Sequence, residues 1–317
     1  MIDVLLVQLC LTSGAFLSIL VNFYSEGKQR RFIKHSFRHY LSPSVVDELI
    51  SNPDRLKLGG QRKDLSIFFS DLQGFTAISE ELDPEALAQL LNEYLTIMTD
   101  IILEEGGTID KYEGDAIIAF WNAPLSMEDH AYRSVYAAIR CQEELDRLRA
   151  HFREKCGHDL YMRIGINTGP AVVGNFGSNK RFDYTMLGDA VNLAARLEGI
   201  NKVFGTFTLV SEDTWEKVSS NIAGRFLGRI KVIGKNKSIK VYEPMSQALF
   251  FETENNLKLF EKGRTAFEAA QFQEAIKHFE KLPDDPAAQK HLAVCLEMLQ
   301  TGSCKQLQNG IWQQVNK

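Results

Sequence analysis

The sequence predicts an α+β chain: a mixed β-sheet covered by helices over residues 61–245, between an apolar N-terminal helix and an α-helical tail. Three observations predict it. Between Asp64 and about Glu243, short runs rich in β-branched and aromatic residues alternate with longer segments of helical spacing. After Pro244 the strand signals stop and Ala, Phe and Leu recur at helical spacing. At the front, an uncharged run from Val4 to Ser25 is long enough to cross a hydrocarbon core of about 30 Å as a helix.

Composition sets the limits. The chain has 317 residues, 44% of them hydrophobic, which is room for about two domains and a buried core. Charged residues at 24% exclude wholesale disorder. The net charge of −5 gives no global attraction to nucleic acid, so none is expected as a partner. Five widely spaced cysteines (Cys10, Cys141, Cys156, Cys295, Cys304) with no CxxC pair exclude a disulfide scaffold and a zinc site, and suit a reducing compartment.

Residues 1–25 read as a transmembrane helix. Asp3, rather than a basic residue, precedes the apolar run, which argues against a secretory leader. Lys28, Arg30, Arg31, Lys34 and Arg38 follow, placing everything downstream in the cytoplasm. Residues 26–60 read as a helical connector in which Ser42-Pro43 restarts a helix and Gly59-Gly60 closes it.

Within residues 61–245 the expected order begins with a strand, Leu65–Asp71, and a long helix from Asp83-Pro84. Two short strands, Thr108–Tyr112 and Ala116–Trp121, then flank Glu113-Gly114-Asp115 as a hairpin. A helix is expected from Ser126 to about Arg153, then strands at Tyr161–Asn167 and Ala171–Asn175 separated by a Thr168-Gly169-Pro170 turn. A strand ending at Thr185–Leu187, a Gly188 turn, a helix Asp189–Ile200 and a strand Thr206–Val210 follow. The region ends in a hairpin of Phe226–Ile233 with Ser238–Tyr242. Residues 246–317 resemble a tetratricopeptide-like helix pair, with Gly263, Ala266, Ala270 and Ala275 where helices would cross and Phe267, Phe272 and Phe279 between them.

Three segments carry chemistry. In FSDLQGFT (69–76) a strand delivers Asp71 beside a turn at Gly74 and a helix start, where a carboxylate and backbone N–H groups can hold a metal against a phosphate. In DKYEGDAIIAFWNAP (110–124) Asp115 sits in the hairpin turn. If the two strands are neighbours, the two carboxylates meet, and an all-oxygen pair favours Mg²⁺ or Mn²⁺ over zinc. In YTMLGDAVNLAARLE (184–198) Asn192 and Arg196 lie four residues apart on one helical face, able to clamp ribose and phosphate oxygens. Taken singly, a solvated turn or a surface Asn and Arg explains each of these as well.

Together with GINTGPAVVGNFG (165–177), these segments resemble the class III nucleotidyl cyclase catalytic domain over residues 61–245. The resemblance implies that Asp71 and Asp115 bind two Mg²⁺ (or Mn²⁺) ions, one activating the ribose 3′-hydroxyl and the other holding the β,γ-phosphates. Gly74, Phe75 and Thr76 would border the substrate, Asn192 would orient the ribose, and Arg196 would stabilise charge on the α-phosphate. It implies base selection by Lys111 and Thr185, the adenine pair, where guanine enzymes resemble Glu and Cys. Lys111 would donate to adenine N1, and Thr185 would accept from the exocyclic amine. It also implies a head-to-tail homodimer, with Asp71 and Asp115 from one protomer and Lys111, Thr185, Asn192 and Arg196 from the other. One departure stands out. A Lys-Gly-Lys common in the last hairpin is replaced by Lys231-Val-Ile-Gly234-Lys235, so Lys235 is the candidate for the triphosphate contact.

The order of span, basic connector, YLSPSVVDEL and cyclase resembles the C-terminal part of bacterial membrane cyclases with a CHASE2-type sensor. The expectation is therefore an adenylate cyclase at the inner membrane, with its catalytic domain cytoplasmic and its tail open to a protein partner. The rival readings are guanylate or mixed specificity, and a catalytically weak nucleotide-binding or scaffold protein signalling through its helical tail.

Overall fold

The computed structural model describes residues 58–232, 237–308 and 310–313. The expected span, the connector up to residue 57, and Lys235 lie outside the described residues. Among the described residues, no helix is long and apolar enough to cross a membrane.

The described residues open on β1 (Gly59–Leu72), followed by a short α1 (Phe75–Glu81) and a long α2 (Pro84–Glu104). The start of α2 is set by its own residues. Asp83 accepts hydrogen bonds from the Glu85 and Ala86 N–H groups, and Pro84 takes the first helical position, a cap worth about 1 kcal/mol. The hairpin β2 (Thr108–Glu113) and β3 (Ala116–Trp121) comes next, then α3 (His130–Arg147) and α4 (Arg149–Cys156). The sheet resumes with β4 (Met162–Ser178) and β5 (Arg181–Leu187), followed by α5 (Asp189–Phe204), β6 (Thr208–Ser211) and α6 (Glu212–Val218). After β7 (Ala223–Lys231) and β8 (Ile239–Met245), the tail forms α7 (Gln247–Glu252), α8 (Glu254–Glu268), α9 (Phe272–Phe279) and α10 (Pro286–Thr301), then β9 (Leu307–Gln308) and β10 (Ile311–Gln313).

The strands form one sheet in the order β2-β3-β1-β4-β6-β8-β7-β10-β9, with β5 paired to β4. Pairing is antiparallel except for β4 with β6 and β7 with β10. Period-2 alternation divides the side chains of β1, β3 and β4 between two faces. Phe68, Ile117, Ala119, Trp121, Ile164 and Ile166 pack under α2, α3 and α4. Leu65, Ile67, Ile118, Phe120, Ala171 and Val173 face the other way, toward α5 and β5. Helix α5 lies directly on β4: a Cβ on Gly165 would sit 2.2 Å from the Glu198 nitrogen and 2.4 Å from the Ala194 oxygen. Only glycine fits there.

Several expectations are corrected. No turn occurs at Thr168-Gly169-Pro170, because β4 runs unbroken through it along β1. Pro170 falls between the stretch of β4 that pairs β6 and the stretch that pairs β5. A proline there leaves its missing N–H on an unpaired edge. Helix α3 starts at His130 rather than Ser126, since Asn122 Oδ1 accepts the Met127 N–H at 2.7 Å and holds the preceding loop. Strands do not end at Pro244: β10 adds to β7 and carries Trp312 into the core. Helix α6, capped by Ser211, was not foreseen.

The tail shares a core with the sheet. Leu197, Ile200 and Phe204 of α5 and Leu227 and Ile230 of β7 pack with Phe260, Phe267, Phe279, Val294 and Trp312. As its spacing implied, Gly263 of α8 lies under the Phe279 ring, where a Cβ would approach to 2.7 Å.

Candidate active site

Asp71 stands near the end of β1, and Asp115 in the turn that leads into β3, its neighbour. The Leu72 N–H donates to Asp115 Oδ2 at 2.8 Å, so the two carboxylates meet at adjacent strand ends as expected. Burial pushes the Asp115 carboxyl up to about 6; the Leu72 hydrogen bond opposes this and the negative charge of Asp71 adds to it. Gly74 adopts φ 75°, a left-handed turn that suits glycine, and leads into α1 with Phe75 half-buried and Thr76 exposed.

Arg163 was missed by sequence reasoning. It stands opposite Asp71 in the β1–β4 register, and Nη2 donates to Asp71 Oδ2 at 2.7 Å. Its Nε donates to Glu198 Oε1 at 2.7 Å, so an ion-pair chain runs from the carboxylate pair to α5. The available signal was a lone arginine inside an apolar strand, with 7% of its side chain exposed here.

Lys111 and Thr185, far apart in sequence, come together through Asp110. The Thr185 hydroxyl donates to Asp110 Oδ2 at 2.8 Å, and Lys111 Nζ lies 3.8 Å from Asp110 Oδ1. Strand β5 makes this possible: it pairs with β4, yet Tyr184 also meets Phe120 of β3 with ring centroids 6.2 Å apart. Asn192 is exposed and Arg196 half-buried on α5, and neither side chain has a hydrogen bond or ion pair among the described residues. No such bond joins the carboxylate pair to Lys111, Thr185, Asn192 or Arg196 within one chain.

Residues 60–244 match the adenylate and guanylate cyclase catalytic domain. The chain belongs to that family. Adenylate cyclase 1 of Rhizobium meliloti (strain 1021) is 35% identical over 182 residues, 57% of this chain and 27% of that protein. The crystal structure of the adenylyl cyclase CyaB from P. aeruginosa, 39% identical, covers 60% of this chain and 97% of that one with a TM-score of 0.56. The guanylyl cyclase Cya2 is 34% identical, covering 60% and 96%, with a TM-score of 0.54. The chain spans well under half the length of the Rhizobium relative and 42% of the adenylate cyclase of Anabaena cylindrica.

An adenylyl and a guanylyl cyclase are thus similar to this chain to nearly the same degree, and overall likeness does not choose the nucleotide. The residues of the cyclase domain also bear on the metal. Two adjacent carboxylates offer oxygen donors only, and Asp115 is strained toward protonation, a condition that a divalent cation would relieve. The pair fits Mg²⁺ or Mn²⁺. Among the described residues, no cluster of three or more acidic, His or Cys side chains could enclose an ion alone. Phosphate oxygens and water would complete the coordination, as suits a site that Mg²⁺ shares with its substrate.

Proposed function

We propose that this cyclase converts ATP to 3′,5′-cyclic AMP and pyrophosphate, as a homodimer with two interfacial sites, in cyclic-nucleotide signalling. The observation that carries the reading is the convergence of Lys111 and Thr185 on one acidic residue. An ammonium and an oriented hydroxyl side by side match the N1 acceptor and the exocyclic amine of adenine.

The carboxylates Asp71 and Asp115 would hold two Mg²⁺ or Mn²⁺ ions, which when bound favour ionisation of the 3′-hydroxyl and offset phosphate charge. The chain's own groups do the rest. Lys111 and Thr185 orient the base, Asn192 orients the ribose, and Gly74, Phe75 and Thr76 border the phosphates. The 3′-oxygen then forms its bond to the α-phosphorus as the bond to the pyrophosphate oxygen breaks. Arg196 donates to the α-phosphate oxygens where negative charge grows. Lys235 is our candidate for the triphosphate tail. That Asn192 and Arg196 have no side-chain partners among the described residues supports a role toward a ligand held with a second protomer.

We further read residues 1–25 as an inner-membrane anchor, with the cyclase domain cytoplasmic and residues 26–60 as the helical connector between them. The tetratricopeptide-like tail presents exposed Leu296 and Leu299, which we read as a face for a protein partner.

The test is cyclic nucleotide production from equimolar ATP and GTP with Mg²⁺, alongside Asp115→Asn, Arg196→Ala and their mixture. We expect cyclic AMP from the wild type and a loss of about 10³-fold or more in each variant. Remixing should restore about a quarter of the activity, because half of the dimers then carry one intact site. Cyclic GMP as the main product would overturn the base assignment. Failure of the mixture to recover would overturn the shared site.

A further inference from the structure

The base-reading pair Lys111 and Thr185 rests on a third residue, Asp110. Strand β2 slips register against β3 at Asp110: Ile109 pairs Ala119 and Lys111 pairs Ile118, leaving Asp110 as the extra residue of a bulge. In a regular strand consecutive side chains point to opposite faces. The bulge breaks that rule, and Asp110 and Lys111 come within 3.8 Å of each other. The Asp110 side chain is 4% exposed. Its Oδ2 receives the Thr185 hydroxyl, and its buried Oδ1 has no hydrogen-bond partner. A buried carboxylate oxygen held this way, with an ammonium near it but not bonded, is an uncommon arrangement to maintain for stability alone.

We propose that Asp110 is a specificity-determining positioning residue: by taking the single proton of Thr185, it makes that hydroxyl an acceptor only, and so sets the site for an amino group. The assignment rests on the adenylate reading above. A threonine hydroxyl has one proton and two lone pairs, and an ionised carboxylate can only accept. Once the proton points at Asp110 Oδ2, lone pairs face the base. They complement the amine of adenine and repel the O6 carbonyl of guanine. Lys111 Nζ, too far from Oδ1 for a hydrogen bond, keeps its N–H groups for N1 of adenine, where guanine carries a hydrogen. Burial raises the Asp110 carboxyl, while the Thr185 hydrogen bond and the Lys111 charge favour its ionised form. With a neutral amide at position 110, an N–H can donate to Thr185 instead, and the hydroxyl is then free to donate to O6.

The experiment uses the full chain and compares wild type, Asp110→Asn, Thr185→Val and the double variant. The readout is the ratio of kcat/KM for ATP to that for GTP. A second readout is the affinity ratio for 3′-deoxy-ATP against 3′-deoxy-GTP, which survives loss of turnover. We expect Asp110→Asn to lower both ratios about tenfold or more, the scale of one hydrogen bond to a charged or mismatched group. Asp110→Asn should change nothing further in the Thr185→Val background. Equal losses for both nucleotides, or an unchanged ratio, would overturn the role of Asp110. If Thr185→Val shifts the ratios and Asp110→Asn does not, only the Asp110 assignment fails. If the wild type shows no preference for ATP, or Thr185→Val leaves both ratios unmoved, the base-site reading fails and takes this one with it.

Discussion

Helix α5 passes through two regions built on opposite terms. Its first half carries Asn192 and Arg196, whose side chains have no hydrogen bond or ion pair among the described residues. Its last turns, Ile200 to Phe204, are sealed by the tail. There Arg225 donates through Nε to Glu243 at 2.7 Å and through Nη2 to Asp285 at 3.0 Å, with its guanidinium 4.4 Å from the Phe260 ring centroid. His291 is fully buried, with Nδ1 2.8 Å from the Ala287 carbonyl and Nε2 3.1 Å from that of Leu227. Charges whose partners lie within the chain belong to the architecture. Charges left with poor partners, at an opening between strand ends, are held for something that arrives.

The comparison can be broken most forcefully at the junction. Asp285→Ala removes the bidentate partner of buried Arg225 and also the cap of α10, where Asp285 accepts the Ala287 and Ala288 N–H groups. Stability in urea unfolding should fall by about 3 kcal/mol or more, with the ATP-to-GTP preference of the remaining folded protein unchanged. A shift in base preference would show that the two regions are not separate.

At the site, the same kind of change should act in the opposite direction. Because the folded-state pKa of Asp115 is raised to about 6, above the unfolded value of about 4, its carboxylate opposes folding. That penalty is absent below about pH 4, grows through about pH 6 and is complete above it. Asp115→Asn should therefore melt higher than wild type at pH 7 without divalent ions, and lose that pH dependence. Mn²⁺ should raise the melting temperature of the wild type more than that of the variant. A destabilised Asp115→Asn would place Asp115 with the structural charges instead.

A separate acid-side effect concerns His291. Burial lowers its pKa to about 4, so the folded state holds it neutral. The stability that goes with a neutral His291 is present above about pH 6.5, the unfolded value, and is lost as pH falls through about 4. His291→Leu should flatten the melting profile over that window. A profile that keeps its slope would assign acid sensitivity to other groups.

The sequence disclosed the fold where periodicity was clean. The strands of β1, β2 and β3, the cap at Asp83 and the two carboxylates of the strand ends were readable because each follows from local chemistry. Thr168-Gly169-Pro170 misled because a proline on a locally unpaired strand edge looks the same in sequence as one in a turn. Arg163 was missed because strand patterning has no place for a buried cation, and only the register with Asp71 explains it. Asp110 was passed over for its neighbour Lys111, since a bulge is a property of two strands rather than one. Two- and three-residue strands such as β9 and β10 are too short to show any period.

The parallel seat of β10 on β7 has a consequence for how the protein is made. Phe204, Leu227, Ile230 and Val232 are covered by groups that include Phe260, Phe267 and Trp312, which leave the ribosome after them. A nascent chain that has emerged only through Met245 already contains every matched catalytic segment, yet it exposes a broad greasy flank beneath α5. The tail thus acts as a closing wedge, and translation must reach Trp312 before the helix bearing Asn192 and Arg196 has its final footing.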